Sequence, residues 1–175
     1  MRLLAENRGK DSILELTPVG SAHELLRSAL EAGYLLHGSN RATLACLEPQ
    51  LANCGVKAFG NQIAIYACED EMIALFFAIR RKGSRFGVVR TTIRLIQTRE
   101  DISREYSFGI SGGLAHNNPW TSGAVYLFAR DGFDQYVDES GAPSLEWAAY
   151  RPVRPVARIA VGPEDFPLLS HVELL

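Results

Sequence analysis

The stretch from Glu69 to Gly83 constrains this chain more than any other. Glu69-Asp70 reads as a helix start, and the helix is expected to run to about Lys82, with Gly83 as its stop. Met72, Ile73, Leu75, Phe76, Phe77 and Ile79 make it apolar almost all round. A helix without a polar face has to be covered on most sides, so this one should lie buried. Arg80, Arg81 and Lys82 fall in its expected last turn, where cations suit the negative end of the helix dipole.

The pattern around this helix changes along the chain. Ser21-Ala22-His23-Glu24 fits a capping box, in which serine and glutamate each satisfy an orphan backbone N–H. Leu25, Leu26, Ala29 and Leu30 follow at helical spacing, and Gly33 is a natural stop. Ile13-Leu14-Glu15-Leu16 reads as a short strand, ended by Pro18 and Gly20. Strands are expected at about 34–37 and 62–67. The irregular stretch between them is broken by Pro49, Gly55, Gly60 and Asn61. From Phe86 onward β-formers dominate, with strands expected at 86–97, 105–110, 123–129, 134–137, 146–150 and 155–161 and a loop over 111–122. Pro152 and Pro155 suit an edge or a bulge. Helices first and strands later predict an α+β fold with a mainly antiparallel sheet. A chain of 175 residues suits a single domain with a proper core.

Charge and cysteine usage narrow the function. A net charge of -2 argues against a general nucleic-acid or anionic-membrane binder, which is usually basic. Met1 to Ser12 carry charges throughout, so neither a signal peptide nor a membrane anchor is expected there. No segment approaches the roughly 20 apolar residues that span a bilayer. Cys46, Cys54 and Cys68 are odd in number and lack CxxC spacing, so neither a disulfide scaffold nor a zinc site is expected. A reduced, cytoplasmic setting follows as the expectation, with Cys68 as a small core residue.

Three stretches carry candidate chemistry. An apolar run, Tyr34-Leu35-Leu36, stops on His37-Gly38-Ser39. Ile63-Ala64-Ile65-Tyr66-Ala67 leads into the apolar helix. Leu145-Glu146-Trp147 comes late, with Val153-Arg154-Pro155 downstream. Singly, each has a plain structural explanation: a histidine at a strand end, a core tyrosine with its hydroxyl outward, a solvated strand-end carboxylate.

In this order, over about residues 33–161, they resemble the ADP-ribosyltransferase fold, in the branch with a His-Tyr-Glu signature. That branch includes poly(ADP-ribose) polymerase catalytic domains and the diphtheria toxin type. The resemblance implies a split, mainly antiparallel sheet with flanking helices, NAD as co-substrate and no metal. It implies that His37 holds a ribose hydroxyl of the adenosine half, that Gly38 offers backbone groups to the nicotinamide amide and that Ser39 supports the nicotinamide side. Tyr66 and Phe77 would be the stacking faces. Phe77, eleven residues beyond Tyr66, stands where the branch commonly has a tyrosine. Glu146 would be the catalytic carboxylate, and Arg41, close behind the first motif, the candidate phosphate ligand.

The chemistry asks for such residues. Cleaving nicotinamide from ribose passes through an oxocarbenium-like cation, as glycoside cleavage does. A carboxylate beside that cation stabilises charge as it develops. A flat ring needs an aromatic face, and a residue without Cβ permits close backbone approach. Glu139, in the turn Asp138-Glu139-Ser140-Gly141, is the rival carboxylate. His116 reads as an exposed loop residue, while Trp120 either covers a pocket or packs its loop; His23 and His171 read as surface. The resemblance implies a mono-ADP-ribosyltransferase acting on a macromolecular acceptor, protein rather than nucleic acid. Such a compact enzyme is similar to the enzymatic part of a toxin, with an antitoxin protein as a further expected partner. Two alternatives stay open: an RNA 2'-phosphotransferase, whose basic pocket residues are not evident, and a catalytically silent NAD- or ADP-ribose-binding or protein-interaction module, which has no need of Glu146.

Overall fold

The computed structural model describes residues 12–51, 58–81, 89–97, 102–111 and 118–175. The elements run β1 (Leu14–Leu16), α1 (Ala22–Glu31), β2 (Leu35–Ser39), β3 (Gln50–Leu51), β4 (Ile63–Cys68), α2 (Glu71–Ile79), β5 (Val89–Gln97), β6 (Ile102–Ile110), β7 (Gly123–Phe128), β8 (Asp134–Val137), β9 (Pro143–Ala149), β10 (Ala157–Val161) and β11 (Glu173–Leu174). A main sheet takes the order β1-β10-β7-β2-β4-β9-β8, with β3 beside β4, and a second sheet the order β11-β6-β5. Pairing is antiparallel except for β1 with β10 and β11 with β6. The fold is therefore α+β with a mixed, mostly antiparallel sheet, as the sequence pattern predicts.

The two helices start where their caps predict. Ser21 Oγ accepts the Glu24 N–H at 3.2 Å, and Asp70 Oδ1 accepts the Ile73 N–H at 2.9 Å. Gly33 closes α1 with a φ of 90°. Core packs on both faces of the main sheet. On the helix face lie Leu26, Leu36, Leu75, Ile79, Val125 and Ile159; on the other lie Leu35, Ile65, Tyr126, Phe128 and Phe133. The second sheet closes over α2. Phe108 of β6 stands 4.8 Å from Phe76, ring centroid to centroid, with Phe166 edge-on to Phe108. So α2 is covered from above and below, as its composition requires.

Several boundaries differ from expectation, each for a long-range reason. α2 ends at Ile79, short of Lys82, because the chain leaves it to pair with the segment before β7. Arg81 N–H reaches Pro119 O at 2.8 Å and Thr121 N–H reaches Ile79 O at 2.8 Å. Arg80 and Arg81 therefore lie past the helix rather than in its last turn; Lys82 and Gly83 fall outside the described residues. β9 begins at Pro143, before the expected 146, since β8 pairs with it there, Val137 against Pro143. β6 begins at Ile102, before the expected 105, because all nine β5 residues pair with it, while 86–88 of the expected partner strand fall outside the described residues.

α2 lies with its backbone close against the main sheet. A Cβ on Gly38 would stand 1.9 Å from the Ala74 carbonyl oxygen and 2.7 Å from the Ala78 nitrogen. On Gly123 it would stand 2.2 Å from Ala78 O and 2.5 Å from Ser39 O. These obstacles are backbone and cannot swing aside. Gly38→Ala should therefore lift α2 and destabilise the fold by about 1–3 kcal/mol, the range for overpacking; a urea midpoint unchanged from wild type would show that no such contact exists.

Candidate active site

The predicted site residues are carried by β2, β4, α2 and β9, and the strand register decides what they share. Leu36 pairs with Cys68, and Cys68 with Glu146. In-register residues on neighbouring strands point to the same face, and successive residues alternate. Leu36, Gly38, Tyr66, Cys68 and Glu146 therefore face the helix side. His37 faces the other side, where its cross-strand partner Tyr126 belongs to the opposite core. The expected convergence of three side chains is thus not what the register produces. It brings Tyr66 and Glu146 together with Gly38, and turns the His37 ring away from them. Tyr66 pairs with Ala148, so Tyr66 and Glu146 are diagonal neighbours, about 7–8 Å apart in such a ladder.

β2 and β4 part immediately after a single pair. Continuing the register would set Gly38 opposite Tyr66, but only Leu36 and Cys68 are paired. In place of a backbone bond, His37 Nδ1 meets the Tyr66 carbonyl oxygen at 2.6 Å. A carbonyl only accepts, so Nδ1 carries the proton in this contact. The Tyr66 carbonyl thus points toward β2. By the alternation of backbone groups along a strand, Gly38 turns its N–H and C=O into the same gap. α2 roofs the gap over Gly38, with Phe77 next to Ala78. Phe77 is partly exposed, edge-on to Phe76, and the Arg80 guanidinium lies 5.3 Å from its ring centre.

Other predicted residues have structural engagements. The Tyr66 hydroxyl donates to Phe59 O at 2.5 Å and accepts from Gln62 N–H at 3.2 Å, which fixes the short 3-10 turn Ala58–Asn61. Phe59 sits edge-on to Tyr66 and stacked on Tyr136. Among the described residues no ring contact joins Tyr66 to Phe77. Ser39 is buried, and its hydroxyl accepts the Arg41 N–H at 3.2 Å. Arg41 itself is exposed. Glu146 is exposed within β9, not at its start, and its N–H goes to Ser144 Oγ at 2.9 Å. Glu139 is exposed in the β8–β9 turn, which Asp138 holds by accepting from Ser140 and Ala142. Trp120 packs edge-on to Phe76 and bridges Arg80, so it packs its loop against the core. His116 and Cys54 fall outside the described residues. Burial pushes the Cys68 thiol up to about 12, which suits an inert core residue.

The sequence pattern missed Tyr126 and the polar head of α2. Tyr126 is fully buried; its hydroxyl donates to Arg41 O at 2.6 Å and accepts from Leu44 N–H at 2.9 Å, holding the loop that follows His37. A tyrosine in the apolar run Ala124–Phe128 was the available signal, since a buried hydroxyl needs partners. At the head of α2, Asp70 is wholly buried. Burial pushes its carboxyl up, against the Ile73 N–H, the Tyr106 hydroxyl at 2.9 Å and the Arg104 guanidinium at 2.7 Å. Burial and the Asp70 charge raise the Tyr106 phenol to about 12, keeping it a donor. Glu71, also buried, meets His23 at 3.2 Å and Arg27 at 3.4 Å.

A crevice of about 540 Å³ opens beside this head, walled by Arg27, Glu31, Glu69, Glu71, Arg104 and Tyr106. None of His37, Tyr66 or Glu146 lines it. Its cations Arg27 and Arg104 are paired with the neighbouring carboxylates Glu71 and Asp70. Among the described residues no His, Cys, Asp or Glu group of three or more is arranged to hold a metal, and no helix is long and apolar enough to cross a membrane. No family model, no curated protein and no solved structure matches the chain.

Tyr126→Phe removes the acceptor of a buried N–H and the donor to Arg41 O. A loss of about 1–3 kcal/mol is expected, the scale of an unsatisfied buried group. Thermal unfolding measures it; a midpoint equal to wild type would mean water takes the hydroxyl's place.

Proposed function

We propose that the chain is an NAD-consuming ADP-ribosyltransferase, working at the gap between β2 and β4. The observation that carries this is the parting of the two strands at Gly38. The Gly38 N–H and C=O, turned toward the gap side by side on a rigid strand, match the donor and acceptor of a carboxamide. The space a Gly38 Cβ would fill is taken by α2, so a flat ring reaches these groups along the gap between the strands. Tyr66, diagonal to Glu146 on the same face, supplies an aromatic surface and Glu146 a negative charge within reach of one bound molecule.

In this reading Glu146 stabilises the cation that develops at the ribose anomeric carbon as the bond to nicotinamide breaks. The bonding electron pair leaves with nicotinamide. A nucleophile on the acceptor forms the new bond to that carbon and releases its proton to solvent. His37 has a different part from the one its motif implies: through Nδ1 it holds the Tyr66 carbonyl and so keeps the gap open. The same feature favours the silent NAD-binding module as second reading, since it removes His37 from the face that holds Glu146. A toxin role, with a protein acceptor and an antitoxin partner, belongs to the same proposal by resemblance alone.

The two readings separate on one carboxylate. Wild type incubated with NAD and cell lysate should release nicotinamide, and Glu146→Gln should release it about 10²–10³-fold more slowly. NAD affinity should change much less, because the charge matters most in the transition state. NAD binding without nicotinamide release by wild type would favour the silent module. Full release by Glu146→Gln together with loss in Glu139→Gln would move the chemistry to the β8–β9 turn.

A further inference from the structure

Glu146 stands on a strand that is weakly specified from one side. β9 pairs regularly with β4, but its pairing with β8 shifts register between Gln135 and Val137. What fixes its rotation lies on the opposite face, at Trp147. The Trp147 indole donates Nε1–H to Glu69 Oε1 at 2.9 Å. Arg130, in the β7–β8 turn, meets the same Glu69 oxygen at 2.8 Å and lays its guanidinium 4.9 Å from the Trp147 ring centre. Arg130 Nε–H also donates to Gly33 O at 3.1 Å, at the turn between α1 and β2. One side chain thus joins the entry to β2, the exit of β4 and the middle of β9, the three strands that bear the candidate site.

We propose that Arg130 is a positioning residue: with Glu69 it clamps Trp147, and so sets the direction in which the adjacent Glu146 points across the gap. This rests on the role given to Glu146 above. The pair is partly exposed, with Arg130 and Glu69 side chains 42% and 24% accessible, so it adds little to stability. Its effect is geometric. The guanidinium's planar fork serves a carboxylate, a carbonyl and a ring face together, which an ammonium does not reproduce.

The test uses the full chain with Trp120→Phe, which leaves Trp147 as the sole tryptophan. Arg130→Gln should fold, with a near-native unfolding midpoint. It should lower kcat for nicotinamide release by roughly 10–100-fold, the scale of a misplaced catalytic group, with KM for NAD nearly unchanged. The Trp147 emission maximum should shift to the red as the indole loses its partners, and amide exchange over 144–148 should quicken. Arg130→Lys keeps the charge near Glu69 and should recover part of kcat. Unchanged kcat in Arg130→Gln overturns the positioning role, even with a shifted emission. Should wild type release no nicotinamide, the reading of Glu146 fails on its own account. Amide exchange then decides the clamp alone, and unchanged protection of 144–148 in Arg130→Gln overturns it.

Discussion

The rest of the structure depends on how closely α2 lies against the main sheet. Two glycines, Gly38 on β2 and Gly123 on β7, bring the helix backbone within contact of the strands. Packing at that distance removes apolar surface from water and leaves no room for a side chain at either glycine. The second sheet then covers the outer side of α2 through Phe76 and Phe108. The helix has no polar face to turn outward, so both layers are needed. Its two ends are held differently. Asp70 caps the head and draws Arg104 and Tyr106 in from β6, whereas the tail passes directly into strand-like pairing with the segment around Trp120.

The same packing explains where the sheet opens. β2 is held along its length by β7 and by α2, but β4 is held chiefly by β9. The two strands meet at Leu36 and Cys68 and then separate. A backbone carbonyl exposed by such a parting needs a donor, and His37 supplies one to Tyr66 from the far face. A parting of this kind inside a sheet turns backbone polar groups toward a gap on a rigid frame, the kind of setting from which a scaffold presents groups to a ligand. At the hollow beside the head of α2 the cations Arg27 and Arg104 are already paired with Glu71 and Asp70.

Much of the local structure was legible in the residues. Ser21 and Asp70 sit where they cap, Gly33 takes the left-handed conformation that ends α1, and β-branched runs became strands. These follow from interactions within a few residues, which the chain carries wherever it is placed. The apolar helix was legible as buried for the same reason: its composition excludes water on every side. The order of His37, Tyr66 and Glu146 was legible too, and so was their attachment to three strands.

What the sequence by itself determined was element type, caps and the burial of α2. Only the tertiary structure decided which face each site residue uses. Alternation along a strand sets faces relative to its own neighbours, not relative to another strand. The pairing of Leu36 with Cys68, and of Cys68 with Glu146, joins residues far apart in the chain and puts His37 on the other face of the sheet from Glu146. The ends of α2 and β9 moved for a similar reason, since partners at 119–121 and on β8 claimed the backbone groups there. Arg130 was invisible in sequence because its contacts, Gly33, Glu69 and Trp147, belong to three other parts of the chain. Hydrogen bonds and ion pairs of that range exist only once the sheet has brought the strands together.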